Sequence, residues 1–346
     1  MTLARLEHLA GGIPPGIAWS LATVAESRGR QELFTRQSPQ RLKALRENAI
    51  IESAVSSNRM EGVEVEPGRV GTVVFGRSLL RDRDEEEVRG YQEALALIHA
   101  GTISSVSEES IRRMHALCRG SVSDAGRYKA HDGDIIERHP NGSVTTRFLP
   151  VSAAQTPEAM RLLLDLWSRS RSEGWAHPLI AIALFNLDFL CIHPFRDGNG
   201  RASRLLLLLQ LYEAGYDVGR YISLERLIEH HKDRYYETLK LSSEGWHEDR
   251  GDPWPYTGYL LFILKEAYRE MEERLGDLVE PRGEKAARVR KAVLAWNGGF
   301  RLADLERACP GVGKDWIRAV LFRLRNEGKI VCQGKGKAAT WRLTGE

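Results

Sequence analysis

The sequence predicts a mainly α-helical protein with one β-hairpin set into its helical body and a separate winged helix-turn-helix domain near its C-terminal end. Three observations predict it. Apolar residues recur at helical spacing through most of the chain, and two segments are apolar on nearly every face. A single pair of short β-capable runs, 134–137 and 143–148, flanks His-Pro-Asn-Gly at 139–142. Residues 282–346 hold 15 Lys and Arg against 6 Asp and Glu, a balance of +9, so with a whole-chain charge of +3 residues 1–281 carry −6.

The first 120 residues read as helices broken by Gly and Pro. In SPQRLKALRENAIIESAVSSNRMEG, Ser38 is a candidate N-cap, Pro39 suits the first helical position and Gly62 is a stop signal. DEEEVRGYQEALALIHA forms a second helix. SEESIRRMHALCRG forms a third, with Ser107 as cap and Glu108 and Glu109 at the positive end of its dipole. Asn141-Gly142 marks a tight hairpin turn. TPEAMRLLLDLWSRSR is amphipathic; PLIAIALFNLDFLCIHPF and GRASRLLLLLQLYEAG are the buried pair. DRYYETLKLSSEG and PYTGYLLFILKEAYREMEERL add two helices. Pro281 and Gly283 break the chain at 279–285, and three helices and a Gly-turned hairpin follow, the order of a winged helix-turn-helix. The expected organisation is a helical region over 1–89, a catalytic core over 90–278 and the winged domain over 282–346.

The 346 residues, 42% hydrophobic and 28% charged, exclude a disordered chain, a collagen-like chain and a small disulfide scaffold. No apolar run approaches the ~20 residues of a membrane span, and MTLARLEHLAGGIPPG lacks the apolar segment of a secretory signal. Cys118, Cys191, Cys309 and Cys332 have no metal or redox spacing, so free thiols in a reducing, cytoplasmic setting are expected.

The sharpest feature is IHPFRDGNGRASR, which joins the two buried helices. A connection between buried helices is expected to be short and neutral, yet this one gathers His193, Arg196, Asp197, Asn199, Arg201 and Arg204. Gly198 and Gly200 let backbone approach a ligand closely, at a helix N-terminus suited to anions. Arg201 and Arg204 share a helix face and suit two phosphates of one chain. Asp197 suits Mg²⁺, which takes one or two carboxylates and fills its shell with phosphate oxygens. His193 suits proton transfer near neutral pH. Singly, each has a bland reading: a satisfied core His, a turn, two solvated arginines. Together they specify group transfer from a nucleoside polyphosphate.

HPFRDGNGRASR resembles the Fic signature, His-x-Phe-x-Asp/Glu-Gly-Asn-Gly-Arg-x-x-Arg, at every defined position. Gly126-Arg127-Tyr128 and Tyr235-Tyr236-x-x-Leu239 extend the resemblance across about 90–265. It implies a Mg²⁺-dependent protein adenylyltransferase that moves AMP from ATP to a Tyr, Thr or Ser hydroxyl of a target protein, itself included, with the reverse removal of AMP as a companion activity. By resemblance His193 is the base and Asp197 holds the metal. Gly198, Asn199 and Gly200 cradle the α- and β-phosphates, Arg201 binds the outer phosphates, and Tyr236 lies near the nucleoside. Arg196 and Arg204 complete the nucleotide-binding set, and 134–148 is a flap that clamps the target as an added strand. Ser243 stands where several relatives carry Asn in the adenosine pocket. Ser57-Asn-Arg-Met-Glu61-Gly62 resembles the inhibitory Ser/Thr-x-x-x-Glu-Gly/Asn of self-regulated members, so Glu61 is expected to restrain the enzyme by pairing with Arg204. The alternative is a DNA-binding regulator whose core senses nucleotide. The basic tail motivates it through Arg318, Arg323, Arg325, Lys335 and Lys337, and a protein-docking module with a solvated basic face is the blander reading. An oligomer is compatible with the sequence; a membrane partner is not expected.

Overall fold

Helix follows helix from the first residues. The computed structural model describes residues 1–6, 12–35, 39–76, 79–138, 142–276, 284–296, 298–309, 312–334 and 339–344. The helices are α1 (Thr2–Arg5), α2 (Pro15–Thr35), α3 (Pro39–Arg59), α4 (Val70–Phe75), α5 (Arg83–His99) and α6 (Glu108–Arg119). Strands β1 (Ile135–Arg138) and β2 (Val144–Phe148) come next, then α7 (Thr156–Glu173), α8 (Pro178–Ile192), α9 (Asn199–Glu213), α10 (Leu224–His230), α11 (Lys232–Ser243) and α12 (Trp254–Gly276). The rest forms α13 (Glu284–Leu294), α14 (Leu302–Ala308), α15 (Lys314–Asn326), β3 (Ile330–Gln333) and β4 (Thr340–Leu343). The fold is mainly α, as expected. Two units are present, residues 1–272 and 273–346.

Local chemistry sets the boundaries. Ser107 caps α6 through a capping box with Ser110, and Asp82 caps α5 by accepting the Glu85 N–H. Helix α3 stops at Arg59, and Gly62 turns the chain with φ +80°. Ser38, Asn141, the 279–283 break and the wing lysines Lys335 and Lys337 lie outside the described residues.

α8 is the axis of the larger unit. From Leu179 to Ile192 only Leu190 is not fully buried, as its all-round apolar sequence demands. It packs on α7, α9, α1 and α11. Truncating one such buried leucine to alanine typically costs ~2–5 kcal/mol. α3 packs on α5, α9 and α10, which brings the Ser57–Glu61 segment against the start of α9. The smaller unit has its own core, in which Val289, Leu305, Ile317, Leu321, Ile330 and Trp341 meet. It consists of three helices followed by an antiparallel hairpin. Cys118, Cys191 and Cys309 are buried, Cys332 half-buried, and all four thiols are free. No described helix is long and apolar enough to cross a membrane.

Candidate active site

His193 ends α8. Its N–H closes the helix on the Phe189 carbonyl at 2.9 Å, and the residue is left-handed, with φ 51° and ψ 61°. That conformation costs a non-glycine residue roughly 1–2 kcal/mol, so the surroundings must hold it. Lys129 does so from both sides. Its backbone N–H donates to the Pro194 carbonyl at 2.9 Å, and its Nζ donates to the Ile192 carbonyl at 3.1 Å. Burial holds the His193 imidazole down to about 4, so the ring is neutral at physiological pH. Its Nδ1 faces the Leu190 carbonyl at 3.3 Å; an N–H there leaves Nε2 bare as a proton acceptor.

The loop after His193 is rigid. The Asn199 amide bonds both main-chain groups of Phe195, at 2.9 and 2.8 Å. Gly198 caps α9 with φ +80°, which glycine adopts freely. Beneath the loop, α6 supplies two side chains. His115 stacks on Phe195 with ring centroids 3.7 Å apart. Its Nδ1 accepts the Gly126 N–H at 2.9 Å, so Nε2 carries the proton and donates to the Asp197 carbonyl at 2.8 Å. Arg119 pairs with Asp197 Oδ2 at 2.7 Å and with Glu87 at 3.0 Å. Glu87 is 2% exposed and also accepts from Arg201 at 2.5 Å and Arg83 at 2.9 Å. One buried carboxylate on α5 thus holds Arg201 and the partner of Asp197 in a single array.

The other wall comes from α3. Arg204 donates from Nε to Ser57 Oγ, and from Nη2 to the Ser57 carbonyl and to Glu61 Oε1, each at 2.8 Å. Burial works against the Arg204 charge, but the Glu61 carboxylate together with Tyr235 and Tyr91 outweighs it, and the guanidinium pKa is raised. Glu61 lies directly over Gly200, where a Cβ would collide with Glu61 Oε1.

Two depressions meet at His193. His193, Gly200, Arg204, Tyr236 and Glu61 line one, together with the apolar Leu187, Leu190, Cys191 and Leu239 and with Ser243. The other, about 720 Å³, runs along 123–134 past Tyr128 and Lys129 to Phe195 and Arg196. His193 lines both. Arg196 is therefore on the second side, away from the residues grouped with it by sequence. Asp197 is 55% exposed through its side chain. Arg201 is 1% exposed and is bonded to Glu87 and Asn58. The Asn199 side chain serves the loop, leaving its backbone to face a ligand.

Sequence reasoning missed Glu87, His115, Arg119 and Lys129. A signal existed for three of them. Glu87 lies on the apolar face of α5 with Val88, Tyr91, Ala94, Leu95 and Ile98. His115 and Arg119 lie on that of α6 with Ile111, Met114 and Cys118. A charge in a buried stripe needs a partner. Lys129 sits in a loop and carries no such mark. In the smaller unit Arg318, Arg323 and Arg325 project from α15 to the surface, beside Trp316 (51% exposed) and Phe322 (54%); Arg318 pairs with Asp315 at 3.1 Å.

Residues 105–211 match the profile of the Fic/DOC family. Protein adenylyltransferase fic-1 of Caenorhabditis elegans is 29% identical over 152 residues, 42% of this chain and 27% of that protein. Protein adenylyltransferase Fic of Drosophila yakuba is 27% identical over 194 residues, 51% and 35% of the two chains. The match therefore spans only about a quarter to a third of these curated relatives. Among solved structures, a Fic family protein from Desulfovibrio desulfuricans superposes with a TM-score of 0.62 at 26% identity, over 96% of this chain and 97% of that one. A fragment of Fic-1 from C. elegans does so with a TM-score of 0.58 at 20% identity, over 75% and 73%, a likeness of fold.

Proposed function

Over residues 105–211 the chain matches the Fic/DOC family, and from that premise we propose that it is a protein adenylyltransferase, moving AMP from ATP to a hydroxyl side chain of a protein and releasing pyrophosphate. One observation carries the reading: His193 is the side chain shared by the two depressions. One accommodates the nucleotide, with the base among its apolar residues and the α-phosphorus near Gly200. The other accepts the segment that bears the hydroxyl.

The hydroxyl oxygen attacks the α-phosphorus, its proton passes to His193 Nε2, and the bond to the β-phosphate oxygen breaks. A neutral imidazole with its Nδ1–H fixed on Leu190 is a base without prior deprotonation, an effect typically worth 10²–10⁴ in rate. The Gly198–Gly200 backbone at the start of α9 receives the phosphates. Mg²⁺ fits Asp197: the carboxylate is exposed and single, and one carboxylate plus phosphate oxygens is an ordinary Mg²⁺ shell. Arg119 must release Oδ2 for that ligand to serve. When bound, the metal neutralises charge on the leaving phosphates.

Glu61 holds this machine off. It takes the guanidinium of Arg204 and occupies the space over Gly200, so an outer phosphate lacks its cation and ATP lies with its α-phosphorus misaligned. Such misplacement is costly in rate. Glu61→Gly is expected to raise AMP transfer, self-modification included, at least tenfold, or about 1.4 kcal/mol of barrier. Arg204→Ala in that background is expected to lower it again. Transfer from labelled ATP, read by mass gain, checks both. A folded Glu61→Gly protein no more active than the wild type would end the inhibitory assignment.

A further inference from the structure

The irregularity in the first hairpin falls at Arg147. Ile136 pairs with Thr146 and Ile135 with Phe148, which leaves Arg147 as the extra residue with no cross-strand partner. Such a bulge bends its strand and re-aims a side chain, and bulges recur beside active sites. Here it breaks the alternation: Val144, Thr145 and Thr146 are exposed, and Arg147 and Phe148 are both half-buried. Phe148 stacks on His247 at 5.4 Å, and His247 donates from Nε2 to the Leu149 carbonyl at 2.7 Å. This end of the hairpin is thereby anchored to the helical body.

Arg147 turns into the wall of the nucleotide depression, its guanidinium carbon 6.0 Å from the Tyr236 ring centroid. Its Nε is buried and has no hydrogen-bond partner. Among the described residues no carboxylate pairs with it. The other guanidinium lining this depression, Arg204, is taken by Ser57 and Glu61. Arg201, on the first turn of α9, faces away from the depression, paired through Nη1 with Glu87 and Asn58 although its Nε is also unpartnered. A buried guanidinium N–H without an acceptor is unfavourable, and packing on one aromatic ring compensates it little.

We propose that Arg147 is a further nucleotide-binding residue, whose guanidinium takes a phosphate oxygen of the nucleotide and so ties the hairpin to it. The assignment rests on the ATP reading above. A planar fork of donors suits phosphate, and an ammonium replaces it only in part. Nucleotide then fixes the strand along which a target segment adds, so nucleotide binds before target.

Calorimetric titration of the full chain with ATP and with adenosine tests this, for the wild type, Arg147→Met and Arg147→Lys. The Met variant keeps an apolar stem against Tyr236 and removes no side-chain hydrogen bond to the described residues, so its unliganded melting temperature should match that of the wild type. Arg147→Met is expected to weaken ATP about tenfold, ~1.4 kcal/mol, and to leave adenosine unchanged, with Arg147→Lys in between. Equal losses for ATP and adenosine, or no loss for either, would overturn the phosphate contact. Should the Met variant misfold, the Lys variant decides on the same comparison. Wild-type protein that binds no ATP would overturn the ATP reading itself, a failure distinct from the others.

Discussion

His193 is held neutral by burial and held in place by Lys129, and the two effects have separate signatures. The folded ring takes a proton only near pH 4, whereas an unfolded histidine does so near 6.5. Between those values the unfolded chain binds a proton that the native chain refuses. The neutral ring therefore contributes stability that is full above about 6.5 and is lost as pH falls towards 4. Burial also holds His99 and His115 down to about 4, with the same sign. In the Glu61→Gly protein the pH–rate profile of transfer should show no acid limb near 6.5, and the imidazole resonance of His193 should not shift between pH 8 and 5. A limb at 6.5 would mean that a different base works. His193→Ala should bind ATP as the wild type does and transfer nothing detectable; robust transfer by it would remove His193 from the mechanism. Lys129→Met should leave nucleotide affinity intact and lower turnover, since it frees the left-handed residue without touching the phosphate loop.

The motif loop was legible because its chemistry is local: twelve consecutive residues carry the proposed base, the proposed metal ligand, glycines and arginines, and Ser57 and Glu61 are one helical turn apart. What positions those residues is not local. Glu87 lies 114 residues from Arg201 in sequence, and Lys129 lies 63 from Ile192. Only packing of α5 and α6 under α9 brings such groups together, so a single sequence shows a buried charge and never its partner. The hairpin was visible from its turn, but the bulge at Arg147 was not, because register depends on which face finds the body. Helix α5 offers the direct check. Glu87→Gln leaves Arg83, Arg119 and Arg201 short of one buried negative charge, and breaking a buried pair typically costs ~3–5 kcal/mol. The variant should melt several degrees lower and bind ATP more weakly, because Arg201 loses its support. A melting curve and a titration suffice, and unchanged values in both would show that Arg201 and Asp197 are placed by the loop alone.

Each unit owns a core, so cutting between them is expected to spare catalysis. Residues 1–278 of the Glu61→Gly protein should transfer AMP at close to the rate of the full chain, and loss of transfer would assign the smaller unit a catalytic part. The same independence does not extend to α3, which packs on α5, α9 and α10 and carries Ser57 on its last turn, with Glu61 just past its end, both bonded to Arg204. On the proposed inhibition, the restraint is masonry rather than a bolt: the stone that blocks the doorway also bears part of the wall. Supply has no purchase on such a block. If Glu61 acts as proposed, wild-type protein at saturating ATP should remain at least tenfold slower than the Glu61→Gly protein, because nucleotide fills the depression without displacing the carboxylate from Arg204. Release calls for a force on the wall itself, applied by whatever can bend or pull α3 while the rest of the core stands.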